Sequence, residues 1–163
     1  MAFKDYSNFH EMLVDTVDTF GQSPAYRWFD KESNATSISW QDFYSQVKAV
    51  SKSLIALDVR RGDKVNILSY TSYRWVLTDI SNMSVGVGTV GIYQSNLPPD
   101  CEYIINHSDA VLVFAENPDQ LKKLIEIKEN IPNVRKVILF NGEAGEDDWI
   151  ITFEQFLALG KIS

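Results

Sequence analysis

Few side chains in this sequence stand where chemistry would need them. The two histidines, His10 and His107, are far apart, and neither joins a cysteine or carboxylate at a metal-ligand spacing. The single cysteine, Cys101, precedes His107 by six residues. On one short helix that separation turns the two toward different faces, so they read as a buried apolar cysteine and a helix-end histidine rather than a nucleophile and its base. Asp15 with Asp18, and Glu126 with Glu129, share helix faces and read as solvated pairs. No nucleophile-elbow sequence accompanies the histidines, and no G-x-x-x-x-G-K-[ST] phosphate loop occurs.

One stretch, Gly86-Val87-Gly88-Thr89-Val90-Gly91, spells G-x-G-x-x-G. A dinucleotide fingerprint needs a strand before it and a helix after it, because the pyrophosphate sits on the helix N-terminus. Here a helical pattern precedes and a strand pattern follows. Gly86 therefore reads as a helix C-cap, and the other two glycines as places of close backbone approach.

The elements that would position a site are legible from periodicity and punctuation. Phe9, Leu13, Val17 and Phe20 predict a helix over about 8–20, stopped by Gly21. Ala25 to Phe29 and Thr36 to Trp40 flank a polar turn, Asp30 to Asn34, and predict a hairpin. Ser39 with Asp42 is a capping-box pattern opening an amphipathic helix whose apolar positions are Trp40, Phe43, Tyr44, Val47, Val50, Leu54, Ile55 and Leu57. Strands and helices then alternate: strand 64–70, helix 73–84, strand 88–93, helix 100–107 and strand 111–115. Asn117-Pro118-Asp119-Gln120 opens the next helix, which turns Leu121, Leu124, Ile125 and Ile131 to the core. Strand 136–140 follows, and a last helix is capped by Thr152 and Gln155 and ended by Gly160.

This order predicts an α/β fold: a mostly parallel sheet with helices on both faces, plus a short N-terminal helix and a β-hairpin. The strands are apolar along their length, as parallel strands covered on both faces are. Residues 142–148 are polar, acidic and glycine-containing and read as an exposed loop.

A parallel sheet places ligands beyond the carboxyl ends of its strands. The candidates there are Ser69, Thr71 and Ser72 after one strand, and Tyr93, Gln94, Ser95 and Asn96 after the next. The second group is polar directly after an apolar strand and is stiffened by Leu97-Pro98-Pro99, which suits either a wall lining a ligand channel or an ordinary strand-to-helix turn.

Composition limits the partners. The net charge is −7, from 22 acidic and 15 basic residues, and no basic cluster exceeds Arg60-Arg61, Lys122-Lys123 or Arg135-Lys136. Phosphate backbones need more than that, so no nucleic-acid partner is expected, and these basic pairs read as solvated. One cysteine excludes an internal disulfide, and the N-terminal residues lack the apolar core of a signal peptide. No apolar run has the length of a transmembrane segment. A cytoplasmic, reducing compartment is expected.

Four runs resemble the opening of the AMP-forming acyl-CoA synthetases of the adenylate-forming superfamily. Trp40 to Leu57 followed by Val59-Arg60-Arg61-Gly62-Asp63-Lys64-Val65 is similar to that family's helix, glycine turn and strand. Leu68-Ser69-Tyr70-Thr71-Ser72-Tyr73-Arg74-Trp75 is similar to its next turn, with Thr71 where many members carry Asn. Val90-Gly91-Ile92-Tyr93-Gln94-Ser95-Asn96-Leu97-Pro98 with Cys101-Glu102-Tyr103-Ile104 resembles the long-chain and bubblegum-type subgroup, and Pro132 to Ile138 closes the likeness.

The resemblance implies a two-step ligase that uses ATP, Mg²⁺ and coenzyme A to convert a fatty acid into its CoA thioester. The family's phosphate loop, adenine motif, ribose-binding Asp and C-terminal catalytic Lys do not occur in these 163 residues. The expectation is therefore an N-terminal subdomain, residues 1–163, cut before the phosphate loop and inactive alone. It carries no catalytic residue, no metal ligand and no cofactor of its own. Its expected partner is the remainder of its own polypeptide, which would hold the catalytic sheet and C-terminal domain, with the fatty acid bound by the whole enzyme. The strand-end residues would form part of the wall near the CoA opening. A cut apolar surface would leave self-association open, and the whole enzyme could touch a membrane peripherally. The alternative is a stand-alone doubly wound ligand-binding, regulatory or scaffold module without catalysis.

Overall fold

Helix starts are set by short polar side chains that satisfy otherwise unpaired backbone N–H groups. In the computed structural model, which describes residues 4–29 and 32–161, Asn8 accepts from the Glu11 N–H to open α1 (Phe9–Phe20). Ser39 does the same for α2 (Trp40–Ala56), and Ser72 for α3 (Tyr73–Ser84). Two prolines open α4 (Pro98–Ser108), Asn117 caps α5 (Pro118–Glu126), and Thr152 caps α6 (Phe153–Leu159). Only the last expected box closes fully, Thr152 and Gln155 exchanging both bonds. The Asp42 carboxylate accepts from the Ser39 hydroxyl at 2.8 Å, not from its backbone. Gln120 turns inward and is buried, its Oε1 without a partner.

The strands are β1 (Pro24–Phe29), β2 (Ala35–Ser39), β3 (Lys64–Leu68), β4 (Gly88–Ile92), β5 (Ala110–Ala115), β6 (Lys136–Leu139) and β7 (Ile150–Thr152). The first two form the expected antiparallel hairpin, although Trp40 belongs to α2, and Asp30 and Lys31 of its turn lie outside the described residues. The other five form one parallel sheet in the order β4-β3-β5-β6-β7. Strand β7 was not expected: three residues directly before a helix cap are too few for a readable period.

Helices cover both faces. On one, α1, α2, α3 and α6 bury Leu13, Phe43, Leu54, Leu77 and Phe156 against Ile67 and Phe114 of the sheet. On the other, α4 and α5 bury Cys101, Ile105 and Leu124 against Leu68, Val113 and Leu139. Ile55 and Ile125, expected in the core, are exposed. Each follows a fully buried leucine, and a step of one residue rotates a helical side chain by about 100° out of the packed stripe. The hairpin is held by rings: Tyr26 lies 4.7 Å from Phe43, and Trp28 stacks on Tyr73 at 4.7 Å.

Several charges read as solvated are structural. Asp15 accepts from Tyr6 Oη at 2.6 Å and from Lys4, tying the N-terminal stretch to α1. Arg135 donates to the carbonyls of Leu57 and Asp58. Loop 142–148 is mostly exposed, yet Asp147 is tied to Lys128 at 2.7 Å and accepts from the Trp149 N–H. Those two donors hold the Asp147 carboxyl below the usual carboxylate range.

Candidate functional site

Parallel register brings β3 and β4 to the same level, with Leu68 paired to Ile92 at their carboxyl ends. The segments that leave them diverge, one into the α3 cap and one into a loop before α4. Between them lies a cleft of about 400 Å³ lined by Ser69, Tyr70, Thr71, Trp75, Gly91, Ile92, Tyr93 and Gln94.

Neighbouring elements fix both walls. The Tyr70 N–H donates to Glu116 Oε2 at 2.9 Å, and the Ser69 hydroxyl donates to the Tyr70 carbonyl at 2.7 Å. Glu116 is itself held at the end of β5, its N–H donating to the Leu68 carbonyl at 3.0 Å. On the other wall, Lys123 of α5 donates to the carbonyls of Gln94 and Asn96 at 2.6 and 2.7 Å. The Asn96 N–H closes a turn on the Tyr93 carbonyl at 3.0 Å. Tyr70 and Tyr93 stand 61% and 78% exposed at the rim.

Of the expected wall, Ser69, Thr71, Tyr93 and Gln94 line the cleft. Ser72 instead caps α3, its hydroxyl accepting from the Trp75 N–H at 3.3 Å. Ser95 and Asn96 fall outside the lining, and Asn96 contributes its carbonyl to the Lys123 clamp. Trp75 and Gly91 were not among the expected residues. A Cβ at Gly91 would sit 3.6 Å from the Trp75 ring, so the indole lies over the bare strand. The sequence marks Gly91 as a place of close approach but does not say that the approaching group is the Trp75 side chain. Lys123 left no local signal, since its target lies on a loop 27 residues away.

The lining carries no charged side chain, and both neighbouring charges are engaged with backbone. Such a cleft suits a neutral or apolar group with a few hydrogen-bonding atoms. It does not fit a magnesium-bound triphosphate, which needs cations and a cradle of N–H groups. Among the described residues, no three His, Cys, Asp or Glu side chains come together as a metal site.

The other motifs behave as structure. Gly86 follows the end of α3 with φ of 76°, and β4 begins two residues later, so the glycine run joins a helix to a strand. Cys101 is buried, and that burial pushes its thiol pKa up. The His107 ring stacks on Tyr103 at 5.5 Å. Among the described residues no helix is long and apolar enough to cross a membrane.

The family profile described as AMP-binding enzyme matches residues 13–158. The chain belongs to the AMP-binding enzyme family. Among relatives within that family, the long-chain-fatty-acid–CoA ligase ACSBG2 of Xenopus laevis is 27% identical over 93% of this chain and 21% of its own length. The long-chain-fatty-acid–CoA ligase FadD15 of Mycobacterium bovis is 31% identical over 66% of this chain and 18% of its own. The chain thus spans about a fifth of the length of the curated relatives it matches. Solved structures share the fold, among them the two that follow. One is the anthranilate CoA ligase AuaEII in complex with anthranoyl-AMP, with a TM-score of 0.79 and 20% identity over 96% of this chain and 28% of that one. The other is the acetoacetyl-CoA synthetase from Streptomyces lividans, with a TM-score of 0.81 and 20% identity over 93% and 25%. This AMP-binding enzyme chain therefore spans about a quarter of the length of those two structures.

Proposed function

We propose that residues 1–163 are the N-terminal subdomain of a cytoplasmic, AMP-forming long-chain fatty acid–CoA ligase, and that this segment is inactive by itself. One observation carries the reading. The chain aligns over 93% of its length with a long-chain-fatty-acid–CoA ligase while covering 21% of it.

The overall reaction joins a fatty carboxylate to coenzyme A with ATP cleaved to AMP and pyrophosphate. Adenylation turns the carboxylate into an acyl group with a good leaving group, and the CoA thiol then displaces AMP. That chemistry needs Mg²⁺ and fixed donors facing developing phosphate charge. The neutral cleft described above does not supply them, so those groups belong to the rest of the polypeptide in this reading.

The role of this segment is positional. Its parallel sheet gives a rigid base, and loop 142–148 stays at its surface. Ser69, Thr71, Tyr93 and Gln94 form part of a channel wall, with Ser72, Ser95 and Asn96 supporting it. A wall of aromatic rings, hydroxyls and one amide accommodates an extended, largely neutral chain without competing for the phosphates.

The test is ATP–pyrophosphate exchange with palmitate, run on the 163-residue chain and on a polypeptide of the relatives' length containing it. The longer polypeptide is expected to exchange and the short one to show none. Robust exchange by the short chain overturns its assignment as inactive. No exchange by the folded longer polypeptide, with palmitate or other long-chain acids, overturns the ligase reading.

A further inference from the structure

Helix α3 meets β4 along one stripe. Trp75, Thr78 and Asn82 stand at i, i+3 and i+7 and so share a face of the helix. Gly91 and Thr89, two residues apart, share a face of the strand. The stripe is joined at both ends. The Trp75 ring lies 3.6 Å from where a Gly91 Cβ would stand, and Asn82 Nδ2 donates to Thr89 Oγ1 at 2.9 Å. On the helix, Thr78 lies between these two contacts. On the strand, Val90 lies between them but turns to the opposite face, beside Tyr103 and Ile104 of α4.

The middle of the stripe is polar and shut off from solvent. Thr78 and Asn82 are completely buried, and Thr78 Oγ1 and Asn82 Oδ1 both lack a hydrogen-bond partner among the described residues. A spacing of four residues brings two helical side chains within about 5–6 Å of each other at Cβ. Other hydroxyls on α3 behave differently. Ser81 and Ser84 donate to the carbonyls of Leu77 and Ile80 at 2.7 and 2.8 Å, whereas Thr78 makes no such bond. A buried hydroxyl and a buried amide oxygen left dry would both oppose folding.

We propose that α3 and β4 enclose a binding site for a single internal water molecule, held by Thr78, Asn82 and Thr89. The water donates to Asn82 Oδ1 and to Thr78 Oγ1. It accepts from the Thr89 hydroxyl, whose oxygen already receives the Asn82 bond and whose own hydrogen is free to be given. Three bonds are what a buried water ordinarily makes. The water bridges helix and edge strand where Gly91 offers no side chain, one helical turn from the Trp75 ring that lines the cleft.

The chemistry of the donor set selects water over other ligands. Two hydroxyls and one amide oxygen carry no charge. A divalent cation would need carboxylates, and an anion would need cationic or backbone N–H donors. An apolar group would leave the oxygens unpaired. Thr78 and Asn82 are fully covered by this chain's own elements, so no further segment is required to complete the site.

Water-selective nuclear Overhauser spectroscopy of the isotope-labelled 163-residue chain reads the site directly. The side-chain amide protons of Asn82 are expected to show cross-peaks to water, with the sign that marks a bound rather than a diffusing molecule. Thr78→Val keeps the side chain's shape and removes its oxygen. It is expected to abolish those cross-peaks and to lower the urea midpoint at unchanged slope, because the Asn82 oxygen then loses its partner. The direction separates a hydrated oxygen from a dry one: removing an unsatisfied buried hydroxyl would leave the midpoint in place or raise it. Thr78→Ser keeps the oxygen and is expected to keep the cross-peaks at Asn82. Their absence from the unmodified chain overturns the proposal, whether or not any variant folds. So does their persistence in Thr78→Val with native circular dichroism, their loss in Thr78→Ser, or a Thr78→Val midpoint at or above that of the unmodified chain. None of these outcomes depends on ligase activity.

Discussion

At the β7 side of the sheet, four phenylalanines fill the space beneath α6: Phe114 and Phe140 from the sheet side, Phe153 and Phe156 from the helix, with ring centres 5.4 to 6.0 Å apart. At the β4 side the corresponding places hold glycines, a cleft and exposed tyrosines. The same parallel ladder thus runs from a buried region to one left open among the described residues. The difference separates two kinds of evidence in one small sheet. Buried rings at one end report on stability, whereas open polar and aromatic groups at the other, which contribute little to folding, report on what the surface meets.

The contrast is broken most directly at Phe156. It is fully buried and packs edge-on against Phe114. Phe156→Ala should cost about 3–5 kcal/mol, from lost transfer free energy and the cavity left behind. Urea denaturation of the two proteins measures it. A loss below about 1 kcal/mol would mean that α6 is loosely docked and that the β7 side is no more a core than the β4 side.

Sequence reasoning reached the α/β class because caps and periods are local. Ser72, Asn117 and Thr152 each mark a helix start, and the strands β3, β5 and β6 are uninterrupted enough to read. It lost β7, which has only Ile150, Ile151 and Thr152 to offer. It misplaced Ile55 and Ile125 because hydrophobicity says that a residue can be buried, not that its face is packed. The strand-end rule located four cleft residues. Trp75 and Lys123 escaped because both act across the fold: one covers Gly91 from α3, and the other reaches two carbonyls from α5.

A smaller effect sharpens the comparison at the junction of β7 and α6. Thr152 ends the strand and caps the helix, accepting from the Gln155 N–H at 3.1 Å while Gln155 returns a bond to the Thr152 N–H. Thr152→Ala should cost about 1 kcal/mol, read as a shift in urea midpoint at unchanged slope. Thr152→Ser should recover most of it, because the capping oxygen is restored. If serine fails to rescue, the methyl group's packing rather than the cap carries the loss.

The smallest expected change in stability is at Tyr93. The side chain is 78% exposed, and the clamp that fixes its loop uses the carbonyls of Gln94 and Asn96, which no substitution at position 93 removes. Tyr93→Ala should therefore move folding stability by no more than about 0.5 kcal/mol. On the proposed reading of a ligase channel wall, the same change in a folded polypeptide of the relatives' length should raise the KM for the fatty acid or CoA, because a rim ring would contribute contact area to whatever passes it. An unchanged KM for both substrates would remove Tyr93 from the channel. A loss of stability near that of Phe156→Ala would dissolve the distinction between the two sides of the sheet, since the exposed ring would then be holding the fold rather than facing a ligand.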